Sequence, residues 1–361
     1  MGAVDPAHRD SLQTGISAAL QIASRANTSK TRRYKDSAFG HWKAWCDTQG
    51  FSSLLDHLDE QQDKLCYILA CLCQHRHGGR RKKPVRSETL SKVATAVGQG
   101  FSNLGAQNPC LANAFTRARD PLLTSFLAAL EKEDAPASRA HPANTTILSG
   151  LYTSLDTEHA KHGALNRHVQ LLCVAAFYWL MRPTEYLYNH DPDTRSEAFC
   201  LRDIHFTFRG RVYNAAAPDC PLNDEEDVHA ITAATLTFSD QKNAVRGEQV
   251  GHRATTDPEL CPCKSLGRLA LLLRRHNAPP ETRICRHYNP ADRRWYDAKP
   301  VHVTNALRHA ATAVRDLTGI DPMLVSARSL RPGGATALLC ADVDSDSIKL
   351  LGRWKSDAML R

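Results

Sequence analysis

The sequence predicts an all-α unit followed by an α+β unit, the second mainly helical around a small antiparallel sheet. Three observations predict it. Apolar residues recur at helical spacing through the first third, a proline- and alanine-rich stretch follows, and alternating strand text appears only beyond that stretch. With 361 residues, 42% of them hydrophobic, the chain is long enough to bury two cores.

Taken in order, residues 1–28 offer only the short helical text SLQTGISAALQIASRA and are expected to form a flexible N-terminal segment. From Ser29, SKTRRYKDSAFGHWKAWCDTQG spaces Tyr34, Ala38, Trp42 and Trp45 along one helix face, with Gly50 as a stop. DKLCYILACLCQH is a second apolar helix. The basic loop RHGGRRKKPVR then leads into Ser87, a helix cap, and an apolar helix through Val93, Val97 and Phe101; DPLLTSFLAALEKED makes a fourth. These place a helical domain over 29–135, a linker over 136–146 within DAPASRAHPANTT, and a second domain over 147–361.

In the second domain, NRHVQLLCVAAFYWLMRPTEYLY reads as a long helix interrupted at Pro183. CLRDIHFTFRGRVYN alternates through Leu201, Ile204, Phe206 and Phe208, turns at Gly210 and returns. ATLTFSD adds another strand with a charged loop behind it. Beyond Lys264 the text is mostly helical, and no internal repeat is visible.

A formal net charge of +8 favours an anionic partner. No apolar run approaches the roughly 20 residues that span a bilayer. The first residues lack a secretory signal, and Pro6 stands where a myristoylation motif wants Ser or Thr. The expectation is an intracellular protein with no membrane partner. Twelve cysteines are scattered, several in apolar helical text, and read as thiols of a reducing compartment. His252, Cys261, Cys263, Cys285 and His287 form the one cluster that could suit zinc. Its paired residues sit one apart where structural zinc wants two or more between them, so thiols and no metal are expected.

Phosphate chemistry is suggested by SARSLRPGGATALLCADVDSDSIKLLGRW. Arg331 precedes Pro332, Gly333 and Gly334, which start a helix, so its guanidinium is expected beside exposed backbone amides. A planar, permanently charged fork matches two phosphate oxygens at once. Alone, Arg331 reads first as a surface cap or ion pair. YWLMRPTEYL puts Arg182 at the end of a helix too apolar to face water, with Glu185 three positions on, where a carboxylate can hold the guanidinium; a structural ion pair is the alternative. Lys242, on a loop leaving a strand, carries nothing alone.

In combination, the order Arg182 with Glu185, Lys242, SLRPGGAT with Arg331, then LLGRW resembles the catalytic domain of the tyrosine recombinases, the family of phage integrases. TRRYKDSAFGHWKAWC likewise resembles the opening of the family's core-binding domain. The QKN and GGATALL wording is most similar to the DIRS-like and Crypton-like recombinases of eukaryotic mobile elements.

The resemblance implies a SAM-like helical core-binding domain and a tyrosine-recombinase catalytic domain that together clamp duplex DNA. It implies site-specific recombination or integration through a 3′-phosphotyrosine link, with no metal and no cofactor. Arg182 and Arg331 would neutralise charge on the phosphate, Glu185 would orient Arg182, and Lys242 would protonate the departing 5′-oxygen. Two positions depart from the pattern. Arg328 stands where the family has histidine and cannot act as a general acid or base near neutral pH; Arg353, with Trp354 beside it, stands where His or Trp is common.

The family's nucleophilic tyrosine would fall just past Arg361. The expectation is therefore a chain truncated before its nucleophile, not competent for cleavage as given. A tetramer on DNA is the family's assembly. For DNA contact the densest basic run supplies Arg76, Arg80, Arg81, Lys82, Lys83 and Arg86, and Lys30, Arg32, Arg33 and Lys35 form a second patch. The run also reads as a solvated loop or a nuclear localisation signal, and the location is nuclear if the host is eukaryotic. Two rival functions stand beside this one: a non-catalytic, domesticated DNA-binding module, and a helical scaffold with incidental arginines.

Overall fold

The computed structural model describes residues 14, 15, 18, 29–78, 84–113, 115–136, 140–157, 163–188, 198–239 and 247–354. The chain divides into two units, 1–137 and 138–361. Most of the expected N-terminal segment, the centre of the basic run, the Lys242 loop and the residues after Trp354 lie outside the described residues.

The first unit is built on α1 (Ser29–Gln49), α2 (Gln61–His77), α3 (Ser87–Asn103) and α4 (Pro121–Glu133). Each helix buries one stripe: Trp42 and Cys46 from α1, Leu65, Ile68 and Leu72 from α2, Leu90, Ala94, Val97 and Phe101 from α3, and Leu123 and Leu127 from α4. These spacings are one face of a 3.6-residue period. Asp120 starts α4 by accepting from the Leu122 amide, and Pro121 occupies a position whose amide needs no partner. The unit is not purely α. Leu111–Asn113 (β1) pairs with Ala118–Arg119 (β2), because the Asn113 side chain accepts from the amides of Phe115 and Thr116 and folds the chain back.

The expected 136–146 linker is shorter on its C-terminal side. Ala143 is buried and donates its amide to the Ser329 carbonyl at 3.0 Å, and Asn144 caps the next helix through the Ile147 amide. Ala143 belongs to the second unit's core.

That unit runs α5 (Thr145–Ser154), α6 (Gly163–Tyr178), α7 (Pro183–Tyr186), β3 (Ile204–Phe208), β4 (Arg211–Asn214), α8 (Glu225–Ala230), β5 (Ile231–Phe238), β6 (Glu248–Arg253) and α9 (Pro262–Arg274). It continues through β7 (Arg286–Asn289), β8 (Arg294–Asp297), α10 (Pro300–Ala313), α11 (Arg315–Thr318), α12 (Leu330–Cys340) and α13 (Ser345–Gly352). The main sheet is antiparallel in the order β4-β3-β5-β6. Alternation on β3 buries Ile204, Phe206 and Phe208, as the period-2 text requires. Helix α6 is buried on every side from His168 to Phe177, which makes it the axis of this unit. β6 and the β7–β8 hairpin are strands where a charged loop and helices were expected. No helix among the described residues is long and apolar enough to cross a membrane.

Helix α6 ends before the expected break at Pro183. Leu180 adopts a left-handed backbone, φ +48°. The Met181 amide returns to Ala176 O at 2.9 Å, and the Leu180 amide to Phe177 O at 3.3 Å. Such an end usually has glycine in the left-handed position. Pro183 begins α7 instead of breaking α6.

Two imidazoles are buried in this core. His168 Nε2 lies 2.7 Å from Ile284 O, and its ring centroid is 5.7 Å from that of His287. Burial holds His168 neutral down to about 3 and His287 down to about 4. Unfolding restores an ordinary histidine near 6.5, so the unfolded chain takes up more protons below that pH. Stability carried by this pair is complete above about pH 6.5 and is lost as pH falls toward 4. Between about pH 4 and 6 the slope should approach 2.7 kcal/mol per pH unit, twice the value for one group. Melting temperature followed from pH 7 to 4.5 checks this; a flat profile above pH 5 contradicts it, and His168→Gln should roughly halve the slope.

Candidate phosphate-binding site

Three segments, the residues around Arg182 and Glu185, the first turn of α12 and the end of α13, gather around one carboxylate. Arg182 leaves α6 in extended conformation, φ −74° and ψ 151°, as the residue before a proline must. Pro183 then turns the chain so that Glu185 folds back. Its Oε1 accepts from Arg182 Nη1 at 2.8 Å, and its Oε2 accepts from the Arg182 amide at 2.8 Å. Glu185 is 1% exposed, so this carboxylate is desolvated and must be fully paired. Its remaining partner is Arg353, whose Nη2 donates to Oε2 at 3.1 Å.

Arg331 enters from the first turn of α12. It is buried, donates Nη2 to the Gly352 carbonyl, and lies with Cζ 4.3 Å from the centroid of the Trp354 ring. Its Nη1 is buried and has no hydrogen-bond partner among the described residues. Burial, then the nearby Arg182 guanidinium, lowers the Arg331 pKa to about 9, so it is still charged at neutral pH. Tyr186 ties the segment down by donating its hydroxyl to Ala327 O at 3.0 Å.

The site thus brings three guanidiniums to one buried carboxylate, with Glu248 a further electrostatic partner of Arg353, and it leaves the buried Arg331 Nη1 unsatisfied. A buried unsatisfied donor costs about 1–3 kcal/mol. An anion with several oxygens offsets the open donor and the surplus of guanidiniums at once, and a phosphodiester presents two to a guanidinium fork. Arg182 is the accessible edge, its side chain 22% exposed.

One expectation about this segment changes. The amides after Arg331 are not exposed: Gly333 and Gly334 are buried, and a Cβ there would collide with the carbonyl oxygens of Ala143 and Phe177. Those glycines let α12 press onto its neighbours rather than open an anion cradle. Arg353 also points inward, as its bond to Glu185 shows. Arg328 is exposed on the turn Ala327–Ser329, with its amide bonded to Ser326 Oγ, and Lys242 lies outside the described residues.

In the first unit the basic residues separate. Lys30, Arg32 and Arg33 are exposed on α1 and Lys35 is half-buried. Arg32, Lys35 and Lys43 line a groove of about 420 Å³ with Gln99 and Asn103 of α3. Arg76 does not face outward. It is 4% exposed and bonds Asp134 at 3.1 Å, Glu133 at 3.4 Å and Val85 O at 3.2 Å, an internal brace between α2 and the end of α4. Arg86 is exposed at the start of α3 and donates to Ala135 O and Pro136 O. Arg80, Arg81, Lys82 and Lys83 lie outside the described residues.

A cavity of about 820 Å³ is lined by Tyr188, His287, Trp295 and His302 and by none of the arginines. Cys261, Cys263 and Cys285 are buried thiols. Cys263 Sγ donates to His252 O at 3.1 Å. Among the described residues, no group of three or more His, Cys, Asp or Glu is placed to hold a metal ion.

No family model matches this sequence, and no curated protein matches it. Among solved structures, the chain is similar to the integrase of the transposon Tn1549, solved in complex with transposon right-end DNA. The identity is 11%, the TM-score 0.42, and the match covers 81% of this chain and 78% of that one, a likeness too low to transfer fold or function.

Proposed function

We propose that the chain is a tyrosine-recombinase-like DNA-binding protein whose second unit holds one phosphodiester of duplex DNA between Arg182 and Arg331. The observation that carries this is the buried excess of positive charge around Glu185, with Arg331 Nη1 unsatisfied. The sequence pattern that joins Arg182, Glu185, Arg331 and the GRW segment supports the same reading. On it, the first unit is the SAM-like core-binding domain, with Lys30, Arg32, Arg33, Lys35 and the loop before Arg86 facing phosphates. A mobile-element origin of the DIRS or Crypton kind, a nuclear location and assembly as a tetramer on DNA belong to the same proposal.

The chemistry follows from charge. Two guanidiniums preorganised around a phosphate stabilise the additional negative charge of a pentavalent transition state. Glu185 fixes the Arg182 fork so that no rotamer freedom is lost on binding. Strand cleavage further needs a tyrosine nucleophile and a proton donor for the leaving 5′-oxygen, the role proposed for Lys242. Arg328 favours a second reading, binding without cleavage, because a guanidinium cannot exchange a proton near neutral pH.

The test is affinity for a short mixed-sequence duplex as a function of salt. Arg182→Ala and Arg331→Ala should each weaken binding about 10-fold and lower the slope of log K against log salt by about one, the signature of one lost phosphate contact. Unchanged affinity and slope in both variants refute the site. A nicked suicide substrate separates the two readings: a covalent protein–DNA adduct rules out binding without cleavage.

A further inference from the structure

We infer that Gly352, Arg353 and Trp354 form a positioning clamp that aims Arg182 and Arg331 from beneath and makes no contact with the bound phosphate. This rests on the function proposed above and gives the GRW segment a role that its place in the family pattern does not.

The geometry begins with how α13 ends. The Arg353 amide returns to Leu350 O and the Trp354 amide to Lys349 O, both at 3.0 Å, with Arg353 left-handed at φ 56°, ψ 41°. That is the position where helices place glycine. An arginine there carries backbone strain, and the surroundings over-determine it. Its Nη1 donates to Trp179 O at 3.1 Å and to Leu351 O at 3.0 Å. Its Nη2 donates to Leu180 O at 3.3 Å and to Glu185 at 3.1 Å. Cζ stacks 3.5 Å above the Phe238 ring centroid.

These contacts use up both terminal nitrogens and one face of the fork. The cation closes the C-terminal end of α6, where carbonyls lack helical partners and the helix dipole is negative. What it delivers is an oriented Glu185, and through Glu185 an oriented Arg182.

The flanking residues do the same for Arg331. Gly352 offers its carbonyl to Arg331 Nη2, and Trp354 lays its ring beneath the guanidinium. A Cβ on Gly352 would occupy the space of that ring, so glycine is required for Trp354 to reach its place. One turn of backbone therefore sets both phosphate-binding forks.

The inference predicts non-additivity. On the same short duplex, Arg353→Met should weaken binding by about the factor seen for Arg182→Ala, about 10-fold. In the Arg182→Ala background, Arg353→Met should add no further loss in affinity or salt slope. Arg353→Lys keeps charge without the planar fork and should fall between. Trp354→Leu should behave likewise toward Arg331→Ala. Thermal melts give the folded fraction, and if Arg353→Met does not fold, Arg353→Lys and Trp354→Leu carry the test. A further loss of about 10-fold, with a further drop in slope, in the Arg182→Ala background would show that Arg353 touches phosphate and would overturn the clamp. So would single variants that bind like the parent. If Arg182→Ala and Arg331→Ala themselves leave binding unchanged, the function proposed above fails first, and the clamp falls with it.

Discussion

Glu185→Gln should lower the unfolding free energy by about 3–5 kcal/mol, the cost of removing one partner from a buried ion pair. Its side chain is 2% exposed and is the counter-ion for two guanidiniums at 2.8 and 3.1 Å. The amide replacement keeps the shape and one acceptor oxygen. It loses the charge and turns the second oxygen into a donor facing donors. Buried cations then repel one another in a site already short of negative charge. Denaturant unfolding measures the effect, and a loss below about 1 kcal/mol would mean that water reaches the cluster and screens it. The double variant Glu185→Gln, Arg353→Met should lose less than the sum of the two single losses, because the second change removes one of the stranded cations.

Gly334→Ala should cost about 1–3 kcal/mol or more, the range for overpacking a closed core. A methyl group here meets the Phe177 carbonyl oxygen, and Leu180 Cδ2 lies 2.5 Å from the position it would take. Neither neighbour can yield cheaply. Phe177 belongs to the most buried helix of the unit, and its carbonyl already accepts the Leu180 amide that closes that helix. Gly333→Ala presses on Ala143 O in the same way, and the backbone of Ala143 is pinned by its bond to Ser329. Thermal melts of the two variants provide the check. A melting temperature within a degree of the parent at Gly334 would show that α12 can lift away from α6. Because α12 carries Arg331, either substitution should also reduce DNA affinity in the protein that remains folded if the proposed function holds.

Much of this architecture is legible in the residues, and the parts that are not have physical reasons. β3 was readable because Ile204, Phe206 and Phe208 alternate with polar residues. β6 was not: EQVGHR buries only Val250, since it is the edge of its sheet and one neighbour suffices. The β7–β8 hairpin did leave a signal, aromatic pairs flanking a Pro-Ala-Asp turn, where Tyr288 opposes Trp295. In the site, spacing joins Arg182 to Glu185, because three residues make one turn. Nothing in spacing tells which way Arg353 points, because that depends on carbonyls more than 170 positions away in the chain. Arg76 escaped for the same reason. A cation inside a basic run reads as surface until its carboxylates at Glu133 and Asp134 are seen to arrive from another helix.

The direction of Arg353 also sets the order in which a lineage can lose this site. On the proposed function, Arg182 and Arg331 meet the phosphate in addition to their bonds to Glu185 and Gly352, so selection for DNA binding bears on them most directly. Arg353 and Glu185 are also held by folding, since one closes the end of α6 and the other neutralises it. A descendant recruited to another task would shed Arg182 and Arg331 first and keep Arg353 and Glu185 as a fossil. The ratio of substitution rates at these two pairs of positions among relatives would therefore date the loss of DNA binding, independently of what happens to any nucleophile.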